Sequence, residues 1–486
     1  MAILGLVSTE SVSAERWTNI RRKVFYQYPN GSAPLIGLLS MMKEEVTNDP
    51  EFSWWEKRLL EQTTTTVAMN SGGPFGKTST AYYTDFNGTS DAMAFSATAP
   101  VTYGVAVADA SLFRPGHLIR IQGVVSYSTG YTFDVIGRVV STSATGNGNS
   151  GPIITFTVIS LRPNSAGGTA SGIPTNAASG ATSSVGLAVS VVGSAFAQGV
   201  VDLSKEVYYL PINPGNNSQI FRTPFSFTGS ALVTPVKFDD TGIYKDKAKS
   251  HSIDHMVEME LSVIFGAKSK TVVTGNADPT TGVGLPVYTF DGIIAFLNNW
   301  EAQYSIYRGG DGVASGPAAV TADTDDNKRI IVNSAGTMSE DTYDGYLERL
   351  FRTTSNVSNE KLCLCGSGFL KVMNELWRSQ STLVYHPPTG DTFGMELVAT
   401  KTAFGTVYYK THPLFSRNST LRYNALYLDV HNLRYRPMDR RDTQLLKNRQ
   451  PNDADYRKDE WFTEFGLELR MPESFMYIQN VQNYVP

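Results

Sequence analysis

The chain is 486 residues long, 41% hydrophobic and only 18% charged, with a formal net charge of -4 at pH 7. That length carries a sizeable core and two or three domains, and the slightly acidic balance excludes a basic surface that wraps nucleic acid. The light charge suits a β-rich assembly protein better than a helical enzyme.

In chain order, the apolar run Met1–Val7 is short and has no basic residues before it, so it fails as a signal peptide. No stretch has the length of a membrane span, and a soluble intracellular product is expected. Ser11–Tyr28, with Glu15, Arg16, Arg21, Arg22 and Lys23, reads as a surface arm or short helix. Ser32-Ala-Pro-Leu-Ile-Gly-Leu-Leu39 reads as an apolar helical turn with Ser and Pro at its start. In Phe52-Ser-Trp-Trp-Glu56 two adjacent tryptophans cannot share one face of a strand, so one packs inward and the other needs a second surface.

Positions 78 to 204 contain no Lys and no Glu. Helices draw on those residues for their solvent faces, so the segment is predicted to be β-structure and loops. Leu112–Ile121 reads as a turn leading into a strand, Tyr131–Ser141 and Ile153–Leu161 as strands, and Gly146–Gly151 as a loop or hairpin. Asn164–Ser184 is expected to be a long mobile surface loop. Residues 103–197 together suggest an inserted small barrel or sandwich. Asn217–Gly229 is an extended aromatic segment, and Ile243–Phe265 reads as one long helix stopped by Gly266. Acids at Asp239 and Asp240 and bases at Lys268 and Lys270 complement its dipole, and Ile253, Met256, Val257, Leu261 and Ile264 form its apolar stripe. Beyond it, Asp291–Trp300, Asp341–Phe351 and Ser367–Ser379 read as helices. Met395–Ala399, Thr406–Thr411, Ala425–Asp429 and Glu464–Met471 read as strands.

Little chemistry converges. His251 and His255 are spaced to bind zinc from one helical face, but Ser252 stands where a metalloprotease motif needs Glu, and solvent or interface positions are expected instead. Cys363 and Cys365 lack a second ligand pair and are too close for a disulfide, so buried reduced thiols are expected. Cys365-Gly-Ser-Gly368 departs from a nucleophile elbow, and no phosphate-binding loop or dinucleotide fingerprint occurs. Arg434, Arg436, Arg440, Arg441, Lys447 and Arg449 alternate with Asp439, Asp442, Asp453 and Asp455, a pattern of ion pairing rather than a DNA stripe. The expectation is no catalytic residue, no cofactor and no metal.

The order of the segments 32–39, Phe52–Glu56, Asn217-Ser-Gln-Ile-Phe221, Phe227-Thr-Gly-Ser-Ala231, Leu362-Cys-Leu-Cys-Gly366, Thr402-Ala-Phe-Gly-Thr406, Thr411-His-Pro-Leu414, Arg440-Arg-Asp442 and Glu464–Glu473 resembles the major capsid proteins of tailed bacteriophages. The resemblance is to the Hong Kong 97-like fold, in the branch with a β-domain in the extended loop. It implies an α+β subunit with an N-terminal arm at 1–56, an extended loop at 57–102 and 198–228, and the inserted domain at 103–197. A peripheral domain would span 229–289 and 426–486, with a spine helix at 243–266, and an axial domain 290–425. It implies self-assembly into hexamers and pentamers of an icosahedral virion shell, put together in the host cytoplasm, with double-stranded DNA held non-specifically inside and no membrane. Portal, decoration proteins and a separate scaffold, if any, are the implied partners, since motifs that start near residue 32 leave no room for a fused scaffold. Trp54, Trp55, Gln219, Phe221, Phe225, Phe227, Arg440 and Arg441 are the expected intersubunit contacts. A tail or decoration component would share the β-rich middle without needing the long helix, and an enzyme with a β-accessory domain is the remaining alternative.

Overall fold

The computed structural model describes residues 33–39, 44–57, 62–67, 75–78, 83–85, 102–125, 132–143, 152–163, 186–196, 198, 211–234, 243–277, 284–307, 330–334, 336–352, 359–379 and 398–485. The expected arm at 11–28, the loops at 146–151 and 164–184 and the acids at 239–240 lie outside them. The chain divides into two units: a frame of residues 1–54, 213–301 and 324–486, and a β-unit of residues 55–212 with 302–323.

Among the described residues the helices are α1 (Pro34–Leu39), α2 (Gly229–Val233), α3 (Ile243–Phe265), α4 (Ile293–Tyr307), α5 (Glu340–Arg352), α6 (Ser367–Ser379) and α7 (Pro413–Arg417). Each helix expected from periodicity is present. In α5 the dipole rule is visible, with Glu340 and Asp341 in the first turn and Arg349 and Arg352 in the last. α5 and α6 bury Tyr343, Leu347, Phe351, Phe369, Met373 and Leu376 in one core with a mixed sheet. That sheet runs in the order Ile331–Asn333, Met476–Gln479, Ala425–Leu428, Glu360–Cys365, Thr406–Thr411, Val398–Lys401. Its middle strand 360–365 is parallel to 406–411 and antiparallel to 425–428. Period-2 geometry puts Cys363 and Cys365 on the side of that core, both buried and free.

A second frame sheet pairs Gln219–Thr228 antiparallel to Tyr456–Leu469, which also pairs Leu433–Pro437 and Gln444–Leu446. The last long strand therefore starts at Tyr456, earlier than the expected 464. α3 lies on this sheet with the expected boundaries but a different buried face: His255, Met259, Glu260, Val263 and Ile264 point inward, while Met256 and Leu261 are 42% and 41% exposed. Hydrophobicity misassigned the face because the sheet supplies hydroxyl partners for a histidine and α1 supplies donors for a glutamate. Gly266 ends α3 through close approach rather than a left-handed backbone: a Cβ there would lie 2.5 Å from Ser262 O and 2.8 Å from Phe290 O.

The β-unit contains one antiparallel sheet in the order Thr63–Thr65, Ala188–Ser194, His117–Val125, Thr132–Ser143, Ile153–Pro163, Thr102–Ala106, Phe75–Thr78, Tyr83–Asp85. The composition-based strands are all present, and the 111–116 turn precedes the 117–125 strand with Gly116 at φ +88°. Three strands from 63–85 join them, residues that the resemblance places in the extended loop. The strand path is linear rather than visibly closed among the described residues. Tyr103, Val105, Ile119, Ile121, Val135, Ile154 and Phe156 form its core.

Candidate assembly surfaces

From Ile220 on, the 219–228 strand alternates strictly, odd residues buried and even ones exposed. Its odd face lies under α3. Phe221 stacks on Phe465 at 5.3 Å and meets Phe290 and His255 edge-on. Phe225 stacks on His251 at 5.5 Å, and Phe227 packs on Tyr244 with Lys247 Nζ 4.8 Å from its ring centre. His255 Nδ1 and Nε2 each lie 2.8 Å from a threonine hydroxyl, of Thr223 and Thr463 respectively. Burial pushes its pKa below the ordinary histidine value. His255 is thus a core residue and not the solvent-facing or interface residue expected. The same correction applies to Phe221, Phe225 and Phe227, expected as intersubunit contacts: at 6%, 4% and 5% exposure they are covered by their own subunit, because α3 spans their strand.

The opposite face is ionic. Glu460, Glu464 and Glu468 recur every fourth residue of the 456–469 strand and so point the same way. Arg222 Nη2 approaches Glu460 Oε2 at 2.7 Å and Arg449 Nε approaches Oε1 at 3.2 Å. Arg441 pairs with Glu464 and lies over the Phe462 ring at 4.8 Å. Arg470 and Arg436 meet Glu468 at 2.5 and 3.2 Å. Burial works against the Glu460 carboxylate, but the two arginines outweigh it and hold its pKa below the ordinary glutamate value. The arginine-rich segment is therefore structural ion pairing, as its interleaved charges suggest, although its main partners are strand glutamates rather than the interspersed aspartates. Gly466 on this strand admits the Phe52 ring, which a Cβ would meet at 2.4 Å.

Four expected contacts, Trp55, Gln219, Arg440 and Arg441, stay at least partly open to solvent. Trp54 is buried against Phe52 and Phe296, whereas Trp55 is 69% exposed, so the tandem tryptophans do face different ways. Arg440 adopts φ 57° with its side chain 91% exposed and its Nε 3.7 Å from Asp439 Oδ2. Gln219 is half-buried at the strand's start.

Sequence patterns gave no sign of two buried polar junctions. Lys361 Nζ meets Asp429 Oδ2 at 2.7 Å with both side chains fully buried; His431 N and Asn432 Nδ2 also donate to Asp429. Burial lowers the Lys361 pKa while Asp429 opposes that shift. Glu260, also fully buried, accepts from Leu35 N at 2.9 Å, Ile36 N at 2.7 Å and His412 Nε2 at 2.7 Å. Long-range pairs of this kind have no local signature.

A groove of about 540 Å³ is lined by Glu51, Phe52, Gly215, Asn217, Lys268 and Lys270 among others, with no His or Cys, and the Lys270 and Glu51 side chains pair at 2.5 Å. Among the described residues no group of His, Cys, Asp and Glu is placed to hold a metal, and no helix is long and apolar enough to cross a membrane. An α+β subunit whose arginine–carboxylate networks stabilise its own sheet, with apolar side chains left outside, has the character of a structural building block.

The chain belongs to the SU10 major capsid protein family, whose model matches residues 9–482. It is a major capsid protein of a tailed bacteriophage, a structural component of the virion that assembles with copies of itself into the capsid shell. No curated protein matches the sequence. Similar solved chains include one from Mycobacterium phage Bobi (7% identity, TM-score 0.40, covering 98% of this chain and 99% of that one). The Cyanophage A-1(L) capsid asymmetric unit gives 13% identity and TM-score 0.37, covering 60% of this chain and 85% of that one. The long helix read from the sequence at 243–265 is present as α3 with those bounds.

Proposed function

We propose that the subunit forms hexamers and pentamers of an icosahedral shell, assembled in the host cytoplasm around non-specifically held double-stranded DNA, and that it is catalytically inert. Portal, scaffold and decoration proteins are its further partners in this reading, and the β-unit is the domain inserted in the extended loop. The domain boundaries drawn from the resemblance belong to the same proposal, with the insertion widened to take in the 63–85 strands. The family match over nearly the whole chain carries the reading. Intersubunit contacts are assigned to Trp55, Gln219, Arg440 and Arg441, joined by Met256, Leu261 and Phe265, which α3 leaves 42%, 41% and 39% exposed. Trp54, Phe221, Phe225 and Phe227 act instead within the subunit. Size-exclusion chromatography and negative-stain microscopy of the expressed chain test this: capsomers or closed shells are expected, and a small oligomer with no tendency to close would overturn it.

A further inference from the structure

We propose that Glu260 is a pin that couples docking of the N-terminal helix α1 on the spine helix to the integrity of helix α7, so that release of α1 is transmitted to α7. Both helices are short, six and five residues, and neither would persist alone in water. α1 begins with Pro34, which has no N–H, and Ala33 before it has no side-chain acceptor, so the usual local cap is missing. Gly37 N bonds back to Ala33 O, and the two remaining first-turn amides, Leu35 N and Ile36 N, go to the Glu260 carboxylate. Glu260 therefore caps a helix 225 residues away in sequence.

The same carboxylate sets α7. His412 precedes Pro413 and caps α7 through Nδ1, which accepts from Leu414 N at 3.2 Å. An accepting Nδ1 puts the ring proton on Nε2, and that proton is donated to Glu260 Oε1. The carboxylate thus holds the imidazole in the tautomer and orientation that the α7 cap requires. With α1 released, Glu260 would lose two of the three donors seen among the described residues and keep His412, an arrangement that favours rearrangement around that partner. Linkage makes the effect reciprocal: whatever frays α7 also loosens α1. Leu35, Leu38 and Leu39, each at most 1% exposed, supply the apolar part of the docking.

Hydrogen–deuterium exchange of the full chain, as capsomers and as shells, tests the coupling. In Glu260→Gln the amides of 35–39 and 414–417 should both exchange at least about tenfold faster, the ratio expected for losing a charge-assisted hydrogen bond. The strand amides of 362–364 should keep their protection. Leu38→Ala loosens α1 without touching the carboxylate, and it keeps the test decisive if the first variant misfolds. Faster exchange in both helices of Leu38→Ala is the expected result. Faster exchange in α1 with α7 unchanged would overturn the coupling, and Glu260→Gln with both helices unchanged would overturn the pin.

Discussion

In the β-unit the described core is made of Val, Ile, Phe, Tyr and Ala, and its buried polar residues are few: Thr66, His117, Asp134 and Thr155. In the frame the buried set includes His255, Glu260, Lys361, His412, Asp429, Asp459, Glu460, Glu464 and Glu468. The first unit is held mainly by area removed from water, which tolerates volume-conserving exchange. The second depends on charges whose burial is costly unless every partner is present. The contrast suggests a division of labour: frame geometry is specified by directional bonds, whereas the β-unit needs only its alternating pattern.

The sharpest way to break this comparison is at Asp429. Asp429→Ala strands a fully buried Lys361 and frees two further donors, so the frame should lose about 3–5 kcal/mol. Exchange protection of the 360–365 strand measures this, and protection of the 132–143 strand in the β-unit should not change. Equal loss in both units would refute their independence. Phe221→Ala comes next, at about 3–5 kcal/mol, because it opens a cavity beneath α3 beside Phe465 and Phe290. Denaturant unfolding should show a less stable subunit, and a variant as stable as the parent would return this ring to the intersubunit surface.

The β-unit was largely legible from sequence. The absence of Lys and Glu, with β-forming runs, placed strands within 112–121, 131–141 and 153–161, and the structure shows them at 117–125, 132–143 and 153–163. What composition could not reveal was that strands at 63–85 join them, since pairing partners far apart in sequence leave no local trace. In the frame, most helix boundaries were legible because caps, charges and periodicity act locally, although α4 runs on to Tyr307 past the expected Trp300, and the ion-paired character of the arginine segment followed from its interleaved signs. The buried face of α3 was not, because His255 and Glu260 read as surface residues until Thr223, Thr463, Leu35 and Ile36 arrive from elsewhere. For the same reason the covering of the aromatic strand by α3 left no local trace. Of the candidate contacts, adjacency alone predicted that one of the two tryptophans would face outward, but not that it would be Trp55.

Acid should separate the units more gently. His255 and, in the β-unit, His117 have pKa values depressed chiefly by burial, the latter also by Arg114. The unfolded chain then takes up protons first, so both units lose stability as pH falls below about 6.5. Asp459 is lowered as well: burial opposes it, but bonds from Tyr244, Asn448 and Arg457 prevail, as the arginines do at Glu460. These carboxylates contribute fully above their unfolded values and less as pH drops below about 4. The frame should therefore decline in two stages, the first of them shared with the β-unit. Unit-resolved exchange between pH 8 and pH 3.5 tests this, and a frame flat from pH 7 to pH 5 would contradict the role given to His255.

The smallest expected effect on the subunit itself is at Trp55. Its side chain is 69% exposed, so Trp55→Ala removes little that the monomer uses, and folding stability should change by no more than about 0.5 kcal/mol. If a neighbour covers the ring in the shell, each such contact contributes about 1.5–3 kcal/mol by area bookkeeping, and the repetition of that contact around the shell multiplies the loss. Trp54→Ala is the matched control, since it empties a buried site between Phe52 and Phe296 and should destabilise the isolated subunit. Thermal unfolding beside negative-stain microscopy separates the two residues. The expected pattern is a normal melting curve with sparse or irregular shells for Trp55→Ala, and a lowered melting curve for Trp54→Ala. Normal shells from Trp55→Ala would remove the exposed tryptophan from the assembly surface and leave α3's outward side chains and Arg440 as the places to look.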